Sequence, residues 1–187
     1  YLKLKSQRRT QKRLYSGTSI DIDQVVKNFS LYRASGNIDE SEMHSFNSTW
    51  TPMNHKVYQR NAAGKATQVL LQGWVSSAWE NVSLINSTYN SNGLQTDRVL
   101  QFWNSSSSSW TNISRDRSVY TGSHLDTLTT YSWNSAWIKG WRYSYSTAGA
   151  MDSVCIDFWN GTQWEADKRY VRTWSQGKLT SVIEKAF

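Results

Sequence analysis

The sequence predicts an all-β protein: a repetitive antiparallel β-hairpin meander forming one long twisted sheet, in repeats of about 28 residues, with an extended N-terminal tail. Three observations predict it. Trp residues recur around short polar turns, aligned on Trp50, Trp79, Trp110, Trp137 and Trp164. Glycines recur every 26 to 30 residues at Gly36, Gly64, Gly93, Gly149 and Gly177, with Ser123 standing at the missing place. Between these marks lie stretches of about ten residues rich in Thr, Val, Ile, Tyr and Trp, which pack well on a pleated surface.

The first element is basic. Residues 1–15 hold Lys3, Lys5, Arg8, Arg9, Lys12 and Arg13 with no acid, so most of the net charge of +7 belongs to them. Within this tail, Tyr1 to Lys5 alternates Leu2 and Leu4 with lysines, the period of a half-buried strand, while Ser6 to Arg13 reads as an extended linker. Its charge fits either solvation or contact with an acidic polymer. The run lacks interleaved aromatics and a helix face, so no nucleic-acid partner is expected.

The repeat domain spans residues 16–187. Ser16–Asp23 is a turn and a short strand, whose Asp21 and Asp23 lack the Gly and late Glu of a calcium loop. Gln24–Arg33 is the first strand that fits the repeat, ending on Tyr32, Gly36 and Ile38. Asp39, Glu40 and Glu42 on the return strand read as a solvated face. Full copies then begin at Phe46, Trp74, Trp103, Trp133 and Trp159, each two strands joined by Gly, Asn and Ser turns. That arithmetic gives eleven or twelve strands. Trp137, Lys139, Trp141, Tyr143 and Tyr145 alternate along one strand and predict an aromatic face, with cross-strand Trp ladders as the main cohesion.

Several functions are disfavoured. The single Cys155 allows no internal disulfide or cysteine metal site, and its neighbours Val154 and Ile156 place it on a strand as an inert thiol. His44, His55 and His124 fall at unrelated repeat positions, and no nucleophile, phosphate-cradling loop or dinucleotide fingerprint accompanies them. No catalytic residue, metal site or cofactor is therefore expected, nor is an enzyme. No apolar run approaches the ~20 residues of a spanning helix, so no membrane insertion is expected. The start at Tyr1 fits a processed, extracellular or cell-surface chain.

The spacings Tyr32…Gly36…Ile38 and Tyr145…Gly149…Met151 resemble the YD repeats of Rhs-type shells, although Arg33 and Ser146 stand where those repeats carry Asp. The Trp, Asn, Ser, Trp turns are similar to the hairpin repeats of secreted and surface proteins of Bacteroidota, over residues 24–187. The tripeptides Asp126-Thr127-Leu128 and Asp152-Ser153-Val154 look like the O-glycosylation signal of exported proteins of that phylum, which implies Thr127 and Ser153 as acceptors. Seven Asn-X-Ser/Thr triplets are expected by chance in so Asn- and Ser-rich a chain.

Two functions emerge as expectations. The first is an extracellular structural protein, a homopolymer formed through sheet edges or a donated N-terminal strand, with Tyr1, Leu2, Leu4, Leu179, Ile183 and Phe187 at the assembly interface. The alternative is a carbohydrate-binding adhesin module whose Trp50, Trp79, Trp110, Trp137 and Trp164 stack on sugar rings. Packed rings favour the first and a row of exposed rings the second.

Overall fold

The computed structural model describes residues 3–14, 20–32, 38–47, 49–148 and 151–187. Tyr1, Leu2, Gly36 and Gly149 lie outside the described residues. Thirteen strands account for nearly all of the rest: β1 (Lys3–Leu14), β2 (Ile20–Tyr32), β3 (Ile38–Asn47), β4 (Thr49–Arg60), β5 (Ala66–Val75), β6 (Ala78–Tyr89), β7 (Gln95–Asn104), β8 (Ser109–Thr121), β9 (His124–Trp133), β10 (Trp137–Ala148), β11 (Met151–Trp159), β12 (Trp164–Ser175) and β13 (Lys178–Ala186). Their order in the sheet is their order in the chain, so every connection is a hairpin. The expected all-β meander is the fold.

The N-terminal segment departs from expectation. Ser6–Arg13 is not a linker: it continues β1, which pairs antiparallel with β2 from Lys3↔Tyr32 to Leu14↔Ile20. The alternation read over Tyr1–Lys5 stops short of the end of β1 at Leu14, because Lys and Arg obscure the period while leaving the backbone free to pair. This strand also raises the count above the eleven or twelve expected.

The chain divides into two compact units, residues 1–86 with 102–111 and residues 87–101 with 112–187. Among the described residues of the first, Leu84 is the buried apolar side chain, opposite Leu70 in the register. In the second, Val154 is buried between Tyr145 and Tyr170 in the register, and burial pushes the Tyr145 hydroxyl pKa up.

The turns explain the recurrent Ser, Asn and Gly. Between β5 and β6, Ser76 and Ser77 both take left-handed backbone (φ 48° and 69°), the pair of conformations that matches the twist of a two-residue hairpin. At the opposite strand ends Asn90 Oδ1 accepts from the Asn92 and Leu94 N–H groups. In the β8–β9 turn it is Gly122, not Ser123, that is left-handed (φ 61°). The repeat places its glycine one residue earlier there.

A feature not anticipated is the recurrence of β-bulges at equivalent repeat positions, although the β10–β11 pair runs without one from Trp141↔Phe158 to Ala148↔Met151. Three residues after the turn-end Trp, the even strands carry a residue that the register skips: Met53, Val82, Asp167 and, in β10, the Gly140–Trp141 step opposite Thr130. Pro52 sits beside the first of these, where a missing N–H is tolerated. Near the other ends the skipped residues are Asp39, Thr67, Asp126 and Thr180. These are Asp or Thr because a short oxygen reaches the locally disrupted ladder. Thr180 Oγ1 donates to the Thr173 carbonyl (2.8 Å), and Asp126 accepts from Thr121 Oγ1 (2.6 Å).

Each bulge inverts the facing of the residues beyond it. The predicted aromatic face of β10 is therefore corrected. Lys139 pairs with Tyr131 but Arg142 pairs with Thr129, so Trp137, Lys139 and Arg142 share one face while Trp141, Tyr143 and Tyr145 share the other. Thr130 Oγ1 locks the bulge by accepting the Trp141 N–H at 3.0 Å, and a Cβ on Gly140 would lie 3.1 Å from that oxygen. Gly140→Val is expected to cost about 1–3 kcal/mol by displacing the hydroxyl. Chemical denaturation checks this, and rescue by a second Thr130→Ala change identifies the cause.

Candidate functional site

The chemistry-bearing residues gather on the face of the turn-end Trp residues. Trp74–Trp79, Trp103–Trp110, Trp133–Trp137 and Trp159–Trp164 close four successive hairpins as edge-to-face pairs, with ring centroids 4.9, 5.0, 5.0 and 5.3 Å apart. This geometry sets the positive ring edge against the negative face of its partner. Of the five predicted stacking residues only Trp50 is exposed, at 39%; Trp79, Trp110, Trp137 and Trp164 are half-buried in these pairs.

Two residues before and after each pair stand the next cross-strand partners. Gln72 Nε2 donates to Asn81 Oδ1 (3.1 Å), and Gln101 Nε2 to Asn112 Oδ1 (2.9 Å). The first pair extends to β4, where His55 Nδ1 donates to Gln72 Oε1 at 3.0 Å and the His55 ring lies 5.2 Å from Trp79. In the second unit cations also lie over the Trp rings, and of these Lys139 stands two residues after a pair. Arg115 lies over Trp137 at 5.9 Å, Lys139 Nζ over Trp159 at 4.0 Å, and Arg142 over Trp164 at 4.8 Å. Arg115 and Arg142 are each anchored by a carboxylate, Asp97 and Asp157. The Asp97 hydrogen bond raises the Arg115 pKa further above its ordinary value.

Alternation along the strands did not reveal these partners. For Gln and Asn the signal was present, as Gln-X-Trp and Trp-X-Asn around two turns. For Arg142 it was hidden by the bulge in β10, whereas Lys139 precedes that bulge and alternates with Trp137.

Of the residues expected at an assembly interface, Leu179 and Ile183 on β13 and Phe187 after it are 47%, 52% and 75% exposed. Leu4 lies in β1 opposite Leu31. The two expected glycan acceptors differ. Thr127 is half-buried, whereas Ser153 is buried and shares a 2.6 Å hydrogen bond with Ser146, so the folded sheet does not present its hydroxyl. Asp126 and Asp152 stand three residues after Ser123 and Gly149, where other repeats carry Asp39, Thr67, Thr96 and Thr180. The two tripeptides are thus accounted for by the repeat. Turn-forming Asn104 and Asn160 likewise account for two Asn-X-Ser/Thr triplets, since their Oδ1 atoms accept turn N–H groups.

The three histidines do not converge. His44 pairs with Glu42 (3.0 Å), His55 lies 3.7 Å from Glu40, and His124 lies 3.9 Å from Asp126. No cluster of metal-ligating side chains occurs among the described residues.

A hollow of about 470 Å³ opens in the first unit between two Trp pairs, lined by Gln72, Trp79, Glu80, Asn81, Trp103 and Ser105. It exists because Trp79 turns to Trp74 and Trp103 turns to Trp110, leaving a space between.

No family model matches this chain, and no curated protein matches it. Among solved structures it is similar to a DUF3836 family protein from Bacteroides vulgatus, at 22% identity and a TM-score of 0.42 over 46% of this chain and 89% of that one. A protein of unknown function from Bacteroides fragilis gives 18% identity and a TM-score of 0.48 over 56% and 80%. A DUF3836 family protein from Parabacteroides distasonis gives 13% and 0.36 over 44% and 77%. These neighbours are proteins of Bacteroidota.

Proposed function

We propose that the chain is a structural protein of the cell exterior, of the secreted hairpin-repeat kind, that self-associates through its sheet edges. The observation that carries this reading is the distribution of apolar surface. Among the described residues only Leu84 and Val154 are buried hydrophobics, while Val75, Val82, Phe102, Val119, Ile138, Trp141 and the outer residues of β13 are exposed. Exposed apolar residues that fall together on one strand mark association, and a strand with one neighbour offers a row of free N–H and C=O groups. β13 combines the two: β12 is its neighbour in the sheet order, and Leu179, Val182, Ile183 and the adjoining Phe187 are exposed. The role is non-catalytic.

Donation of the N-terminal strand takes the form of exchange, since β1 pairs with β2 of its own chain. Heterologous edge contacts give open polymers unless a rotation closes them. Sedimentation and electron microscopy over a range of concentrations test the reading. The intact protein is expected to form filaments or large oligomers, and Leu179→Lys with Ile183→Lys to return it to monomers. Loss of assembly on deleting residues 1–15 alone would assign the contact to strand exchange. A monomeric intact protein at all concentrations overturns the proposal.

A further inference from the structure

We infer that the hollow between Trp79 and Trp103 is a binding site for an uncharged saccharide chain. Its lining has the two elements such a ligand requires: indole rings that receive the apolar C–H faces of a sugar, and amide, carboxylate and hydroxyl groups that exchange hydrogen bonds with its hydroxyls. Trp79 and Trp103 supply the rings. The amides are held in place, because Gln72 bridges His55 and Asn81 and thereby fixes both carboxamides. The only formal charge in the lining is the carboxylate of Glu80, which accepts from hydroxyls and repels acidic sugars.

The repeat supplies its own comparison. Asn81 stands two residues after Trp79 on β6, and Trp103 is on the next strand, β7. The same positions further along the chain are Lys139, two residues after Trp137 on β10, and Trp159 on β11. There the Lys139 ammonium sits 4.0 Å from the Trp159 ring centroid and occupies the interval that is open beside Asn81. Arg142 covers Trp164 in the same way. Of the five Trp residues expected to stack on sugars, Trp137 and Trp164 thus carry cations already. The ring of Trp103, which was not among them, lines the hollow with Trp79.

The comparison also provides a variant that fills the site without foreign chemistry. Asn81→Lys installs the residue that the fold accommodates at position 139. Tryptophan fluorescence and calorimetric titration would be carried out on the intact chain at dilution, with uncharged hexasaccharides of glucose, xylose and mannose and with hexagalacturonate as the acidic counterpart. The native protein is expected to show saturable binding to at least one uncharged hexasaccharide. Asn81→Lys and Trp103→Ala are each expected to weaken it by about tenfold or more while the β-type circular dichroism of Asn81→Lys is retained. The inference is overturned by no saturable response to any uncharged probe, by unchanged affinity in Asn81→Lys, or by preference for hexagalacturonate. It does not depend on assembly, so its failure leaves the edge-association reading intact.

Discussion

In the Trp159→Ala variant the stability of the sheet is expected to fall by about 2–4 kcal/mol, near the lower part of the range for removing a packed aromatic because the ring is half-buried. Two ring contacts disappear together. Trp159 packs edge-to-face on Trp164 at 5.3 Å and carries the Lys139 ammonium at 4.0 Å, and it closes the β11–β12 hairpin opposite Trp164 in the register. Truncation also leaves Lys139 over a void, so the cation loses its ring and the ring's partner loses its edge. Trp141 provides the contrast. It is 42% exposed and approaches Phe158 only at 6.2 Å, so Trp141→Ala is expected to cost about 1 kcal/mol.

The loss should also be local. In a repeat array each hairpin is stabilised by itself and by its neighbours, so damage at one interface raises opening there more than several repeats away. Amide exchange is expected to speed up most in β11 and β12 and least in β4 and β5. Equal destabilisation by Trp159→Ala and Trp141→Ala, or exchange that rises uniformly along the chain, would show that the Trp pairs do not hold the hairpins.

The Trp pairs were legible because they are local. Trp74 and Trp79, or Trp159 and Trp164, are separated by one short turn, and a turn of fixed length places both rings on one face. The facing of residues beyond the bulges was not legible by alternation. A strict period of two carries Trp137 and Trp141 to the same face; the extra residue in the Gly140–Trp141 step sends Trp141 to one side and Arg142 to the other. In sequence, the cation over Trp164 therefore faces away from it. The hidden signal was positional: a residue three places after the turn-end Trp, and Asp or Thr three places after the turn glycine. The strand character of Ser6–Arg13 was concealed for a different reason, since its identity rests on backbone pairing with β2 and not on an apolar face.

The second large effect is expected from Asp97→Asn, at about 1–2 kcal/mol. Both Asp97 oxygens accept from one guanidinium: Arg115 Nε lies 3.1 and 3.0 Å from its Oδ1 and Oδ2, and Arg115 Nη2 bonds Oδ2 as well. Arg117 Nε lies 3.8 Å away. The pair is partly sheltered, with the Asp97 side chain 18% exposed and that of Arg115 28% exposed. Asn keeps the shape and one acceptor but removes the charge that orients the fork, and the same guanidinium is the one that lies over Trp137. Releasing it therefore weakens a Trp pair as well as an ion pair. The neighbouring Arg98–Asp116 pair on the same strands is the internal control: it is a single contact at 3.4 Å between side chains each 35% exposed, so Asp116→Asn is expected to cost less than about 0.5 kcal/mol. Urea denaturation of the two variants at low and high salt separates them. The Asp116 effect should vanish as salt rises, because water and ions already screen that pair, and the Asp97 effect should largely persist. Equal costs for the two substitutions, or complete loss of the Asp97 effect in high salt, would mean that Arg115 is held over Trp137 by the ring and not by the carboxylate.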